Sequence, residues 1–127
     1  MKPERKLYQD LKKNTHDIIW NRIENLAGVG MPDLLGYNSM KKYFTVELKI
    51  AIGNRVRLSP HQIAFHVLHP SNSFILIRRG KDKNKDEQLM LVAAAEIREL
   101  SANGFGACTV VADSWNTVQT VFTDRIL

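Results

Sequence analysis

Two carboxylates and an ammonium stand at a spacing that can do phosphate chemistry. Asp33 follows Pro32, and after thirteen residues comes Glu47-Leu48-Lys49. On a strand, Glu47 and Lys49 project from the same face, because side chains alternate with a period of two. Asp33 and Glu47 offer hard oxygen ligands, and the Leu48 backbone carbonyl between the two side chains offers another. Such a set suits Mg²⁺, with Mn²⁺ as a substitute. A cation held there polarises a phosphodiester and makes a bound water more acidic. Lys49 then orients that water and offsets charge developing in the transition state. Each residue also has an ordinary reading: Asp33 as a turn residue after proline, Glu47 and Lys49 as an ion pair on a solvated strand.

The elements that must position these residues can be read from periodicity. Residues 3–14 predict a helix, with Glu4, Leu7, Tyr8 and Leu11 on one face. Glu4 is a carboxylate on an apolar stripe, expensive to bury unless paired or ligating. Residues 17–24 read as a strand, followed by the turn AGVGMP. Residues 33–37 and 42–50 read as two strands joined at Asn38-Ser39 in an antiparallel hairpin. That pairing sets Asp33 beside Glu47. Phe44, Val46, Leu48 and Ile50 share one side of the second strand, and Tyr43, Thr45, Glu47 and Lys49 the other. After a polar, basic loop at 51–58, residues 59–69 carry a strong helix start. Ser59 serves as N-cap, Pro60 as first helical residue and Gln62 as capping-box partner. Strands follow at 73–79 and 88–92, around a charged turn that holds Lys81, Lys83 and Lys85. A helix is expected at 93–100, a strand at 108–112 and a helical stripe over 113–126. This order predicts a mixed α/β domain, a central mixed β-sheet flanked by helices.

The pattern Pro32-Asp33…Glu47-Leu48-Lys49, the preceding GVGMPD and the downstream RLSPHQ together resemble the PD-(D/E)XK nuclease superfamily. Within it they are similar to the VRR-NUC type and to the small Holliday-junction resolvases of phages and archaea. The resemblance covers roughly residues 4–80. It implies a restriction-endonuclease-like core in one domain over residues 1–127, with residues 88–127 as an extension of unassigned role. It implies Asp33 and Glu47 as metal ligands, Lys49 as the catalytic lysine, Gln62 as an auxiliary glutamine and Glu4 as a first-helix acid that also ligates the metal. Glu24 competes with Glu4 for that place. Gln62 has two roles open to it, cap or catalysis. The implied activity is Mg²⁺-dependent, structure-specific cleavage of DNA, foremost the resolution of four-way junctions by a homodimer. Flap, nicking or restriction-like cleavage is the enzymatic alternative, and a non-catalytic DNA-binding module the other.

The remaining composition agrees with a nucleic-acid partner. Of 127 residues, 44% are hydrophobic and 24% charged, an ordinary globular profile, and the formal net charge is +5. Excess positive charge attracts polyanions. Arg55 and Arg57 follow the Glu47 strand directly. Arg22, Lys41, Lys42 and His61 are further candidates for backbone contacts, and no base-reading motif accompanies them. His66 and His69 lack a third ligand for zinc and are expected at the surface. Cys108, the one cysteine, is expected in the core and fits a reducing compartment. No apolar run spans a bilayer and the polar N-terminus is no signal peptide, so a cytoplasmic place (a host's, if viral) is expected.

Overall fold

A computed structural model describes residues 2–23, 30–80 and 87–127. Its elements follow the expected order: α1 (Pro3–Asn14), β1 (Ile18–Arg22), β2 (Leu34–Asn38), β3 (Tyr43–Ala51), α2 (Pro60–Leu68), β4 (Ser73–Arg79), β5 (Gln88–Ala93), α3 (Ile97–Asn103), β6 (Val110–Ala112) and α4 (Trp115–Asp124). Glu24, Lys81, Lys83 and Lys85 lie outside the described residues.

Among the described residues the strands form one mixed sheet, in the order β1-β2-β3-β4-β5-β6. Every neighbouring pair is antiparallel except β3 and β4, which run parallel because α2 carries the chain back across the sheet. The fold class is therefore the expected one, a mixed α/β sheet flanked by helices. Phe74 to Ile77 of β4 are all buried, as a strand covered on both faces requires.

Each face has its own core. On one, Phe44, Val46, Leu76 and Leu91 meet Leu7 and Leu11 of α1 and Val118, Val121 and Phe122 of α4. On the other, Ile75, Ile77 and Val92 meet Ile97 and Leu100 of α3, with Ile63 of α2 packed against them. The predicted helical stripe of the C-terminus thus closes the first core. Ser114 caps α4 through a capping box with Thr117. α1 is tied down further where Asp10 accepts from the Arg78 guanidinium of β4 at 2.8 Å.

The hairpin turn differs in detail from the expected Asn38-Ser39 turn. Asn38 is the last residue of β2 and is buried. Its Oδ1 accepts from the backbone amides of Met40 (3.0 Å) and Lys42 (3.1 Å), and its Nδ2 donates to the Phe122 carbonyl at 2.9 Å. The side chain replaces hydrogen bonds that the tight turn leaves unmade, and it anchors α4 at the same time. The 93–100 segment also differs: a 3₁₀ turn at Ala94–Glu96 precedes α3, which runs on to Asn103. Among the described residues no helix is long and apolar enough to cross a membrane.

Gly36 faces the ring of Phe44, which stacks on Phe122 with centroids 4.6 Å apart. A Cβ at Gly36 would lie 2.4 Å from that ring. Gly36→Ala is therefore expected to destabilise the fold by about 1–3 kcal/mol through overpacking. Equilibrium denaturant unfolding checks this; an unchanged midpoint would contradict the packing described.

Candidate active site

The register Leu34↔Val46 places Asp33, one residue before β2, beside Glu47 of β3. Asp33 is fixed by three hydrogen bonds. Its carbonyl accepts from the Ile23 amide at 2.8 Å. Its amide donates to Glu47 Oε2 at 3.1 Å, and its Oδ2 accepts from the Leu48 amide at 2.8 Å. In a strand a residue's N–H and C=O point to the same edge, so the Leu48 carbonyl faces the Asp33 side too. Among the described residues β2 pairs with β3 only as far as Val46, and no other strand pairs with this side of the second half of β3.

Gln62 completes the site. Ser59 accepts from the Gln62 amide and the Gln62 side chain accepts from the Ser59 amide, so the predicted capping box is present. The same side chain reaches the sheet: Nε2 donates to Glu47 Oε1, and Oε1 accepts from Lys49 Nζ at 3.1 Å. Cap and site contact are thus made by one side chain at once. Lys49 Nζ stands 3.9 Å from Glu47 Oε1. The face carrying Glu47 and Lys49 is not solvated, because α2 covers it.

Glu47 is 1% exposed. Burial first, and then the Asp33 carboxylate beside it, push its pKa up to about 9, against a smaller opposing pull from Lys49. At neutral pH Glu47 therefore keeps its proton. That is an oxygen-rich site short of positive charge, and it fits a hard divalent cation in place of the proton. Asp33, Glu47 and the Leu48 carbonyl are the residues placed to hold one.

A cleft of about 500 Å³ lies at the end of β3, lined by Glu4, Lys49, Ile50, Ile52, Arg55, Val56 and Arg57. Glu4 thus stands on the wall of the cleft that Lys49 enters. Among the described residues no three His, Cys, Asp or Glu side chains gather into one cluster, and α1, which carries Glu4, packs on the face of the sheet opposite Glu47.

The basic candidates divide. Arg55 and Arg57 reach the cleft, although Arg55 Nη1 also donates to the Ala102 carbonyl at 3.1 Å. His61 is exposed near the approach to Asp33: a Cβ on Gly30 would lie 2.5 Å from its carbonyl oxygen. Arg22 is directed to the α1 face, over the Tyr8 ring. Lys41 and Lys42 sit at the closed end of the hairpin, and Lys42 Nζ donates to the Ile126 carbonyl at 3.3 Å. Arg22, Lys41 and Lys42 do not join the trio.

Two expectations from sequence are corrected. His66 is fully buried rather than at the surface, because it lies on the inner side of α2. Its Nδ1 donates to the Gln62 carbonyl at 2.7 Å, and burial pushes its pKa below the usual imidazole range. Cys108 is half-buried rather than in the core. Burial, with Glu96 and Glu99 nearby, raises its thiol pKa and keeps it a poor nucleophile. Sequence reading missed Asn54, whose side chain and carbonyl dock the turn after β3 onto α3; the Gly53-Asn54 pair was the available signal.

No family model matches this chain, and no curated protein does. Among solved structures, the chain is similar to Hjc of Archaeoglobus fulgidus, a Holliday junction resolvase from an archaeal hyperthermophile. The two are 17% identical, with a TM-score of 0.41, over 68% of this chain and 70% of that one.

The raised pKa of Glu47 has a measurable consequence. The folded protein keeps a proton that the unfolded chain releases near pH 4.5. The stability this group contributes is complete below that value and is lost as pH rises through about 9. The slope approaches about 1.4 kcal/mol per pH unit within that window. Thermal melts of metal-free protein should show a Tm falling between pH 6 and 9, and Glu47→Gln should flatten the fall. An equal slope in both proteins would contradict the assignment.

Proposed function

We propose that this chain is a divalent-metal-dependent endonuclease that hydrolyses DNA phosphodiesters, with branched DNA, foremost the four-way junction, as its substrate. The observation that carries the reading is the convergence of Asp33, Glu47, Lys49 and Gln62 at a sheet edge beside a cationic cleft. The choice of branched DNA rests on the resemblance of the Asp33–Gln62 segment to resolvases.

Asp33 and Glu47, with the Leu48 carbonyl, would hold Mg²⁺ or Mn²⁺. The bound ion supplies Lewis-acid polarisation of the phosphate and a more acidic water. The chain's own groups do the rest. On cation binding Glu47 would release its proton to solvent and bind as the carboxylate. Gln62 holds Glu47 in one rotamer and steadies Lys49 through its two ends. Lys49 keeps an ammonium at the cleft, where it orients the attacking water and offsets charge on the phosphate oxygens. Arg55 and Arg57 bind flanking phosphates, and Glu4, on the wall of the same cleft, is the first-helix acid that would complete the metal's ligands. Symmetric cutting of a junction asks for two such sites, which a two-fold pair of chains would supply.

The test is cleavage of synthetic four-way junctions, flaps and linear duplexes with and without Mg²⁺. Wild type should nick the junction in preference to the duplex. Asp33→Asn and Glu47→Gln should lower the rate to background without abolishing binding. Lys49→Ala should cost about 10²- to 10³-fold. Gln62→Ala should cost at least about tenfold, because it removes the hydrogen bonds to both Glu47 and Lys49. Binding without metal-dependent cutting would overturn the nuclease reading in favour of a DNA-binding module. Equal cutting of linear duplex would overturn the junction preference alone.

A further inference from the structure

The turn that follows β3 carries an apolar side chain that folding does not use. Ile52 is 72% exposed and lines the cleft beside Lys49, Arg55 and Arg57. Isolated exposed apolar residues are ordinary. Ile52 differs because the backbone presenting it is immobilised. Ile52 and Arg55 exchange two backbone hydrogen bonds, of 2.8 and 3.0 Å, across Gly53-Asn54, with Gly53 at φ 59°. Asn54 then clamps the turn to the segment after α3. Its Nδ2 donates to the Asn103 carbonyl (3.2 Å), its Oδ1 accepts from the Gly106 amide (2.9 Å) and its carbonyl accepts from the Phe105 amide (3.1 Å). Gly104, at φ 82°, permits the approach, since a Cβ there would lie 2.2 Å from the Asn54 carbonyl oxygen.

We infer that Ile52 is a wedge that enters the base stack of DNA bound in the cleft and makes the site selective for DNA whose stacking is already interrupted. This rests on the nuclease reading above. Arg55 and Arg57 flank Ile52 with positive charge, which complements a phosphate backbone and not an apolar protein partner. Unstacking an intact step costs a few kcal/mol, and less where a branch has already broken the stack. A rigid wedge therefore penalises continuous duplex and accepts a branch point. Ile52 and Lys49 line the same cleft, so the wedge would act beside the cleaved bond. Clamping by Asn54 matters because a loose turn would fold Ile52 away instead of holding it in the stack.

The experiment uses the full chain with a four-way junction that carries 2-aminopurine at the branch, in EDTA so that nothing is cut. Saturation is checked by anisotropy. Wild type should raise the 2-aminopurine fluorescence. Ile52→Ser at saturation should lose most of that rise, and Ile52→Leu should restore it. In Mg²⁺, the ratio of junction to linear-duplex cleavage should fall about tenfold for Ile52→Ser. Thermal melts within about 2 °C of wild type are expected, because the side chain is at the surface. Wild type that binds without any rise, or Ile52→Ser with an undiminished rise, would overturn the wedge while leaving the nuclease reading intact. Failure of wild type both to bind the junction and to cut any DNA would overturn both.

Discussion

A buried carboxyl group beside a second carboxylate is the constraint on which this structure turns. Glu47 is held inside the sheet by the pairing of β3 with β2, next to Asp33 and under α2. Burial of one acid against a second, half-buried one is costly unless a proton or a cation neutralises the pair. The surrounding hydrogen bonds relieve only part of that cost, and they fix its location. The Asp33 amide, the Leu48 amide and the Gln62 amide group leave the carboxylates little freedom to turn away. These contacts order the site in the way that the proposed catalysis by preorganised charge would use.

The rest of the fold serves that arrangement from both faces. α1 and α4 bury one side of the sheet and leave Glu4 at the cleft. α2 delivers Gln62 to the other side, and its own N-terminal cap depends on the same glutamine. The C-terminal third has two distinct tasks. α4 closes the first core around Phe122, and the α3 region clamps the turn after β3 through Asn54. The extension is thus a buttress for the cleft as well as a cover for the sheet.

Much of this was legible from residue types. The Asp33/Glu47 adjacency followed from hairpin pairing and the period of two. The helix at α2 followed from Ser59, Pro60 and Gln62. What was not legible had tertiary causes. A capping box predicts a hydrogen bond within one turn, but not that the second face of Gln62 reaches Glu47 and Lys49 in a different element. The burial of His66 depends on which side of α2 meets α3. Glu4 was singled out on an apolar stripe, but that it shares a cleft with Lys49 and the turn after β3 depends on how α1 packs. Arg22, Lys41 and Lys42 were basic residues near the site in sequence. The strand register sends Arg22 to the α1 face and the other two to the far end of the hairpin.

The central claim is that Asp33 and Glu47 form one cation site. Isothermal titration of Mn²⁺ into the protein at neutral pH tests it most directly. The account predicts one ion bound per chain in wild type, and loss of that binding in both Asp33→Asn and Glu47→Gln with the fold intact by circular dichroism. No binding by wild type, or binding that both substitutions leave unchanged, would contradict it.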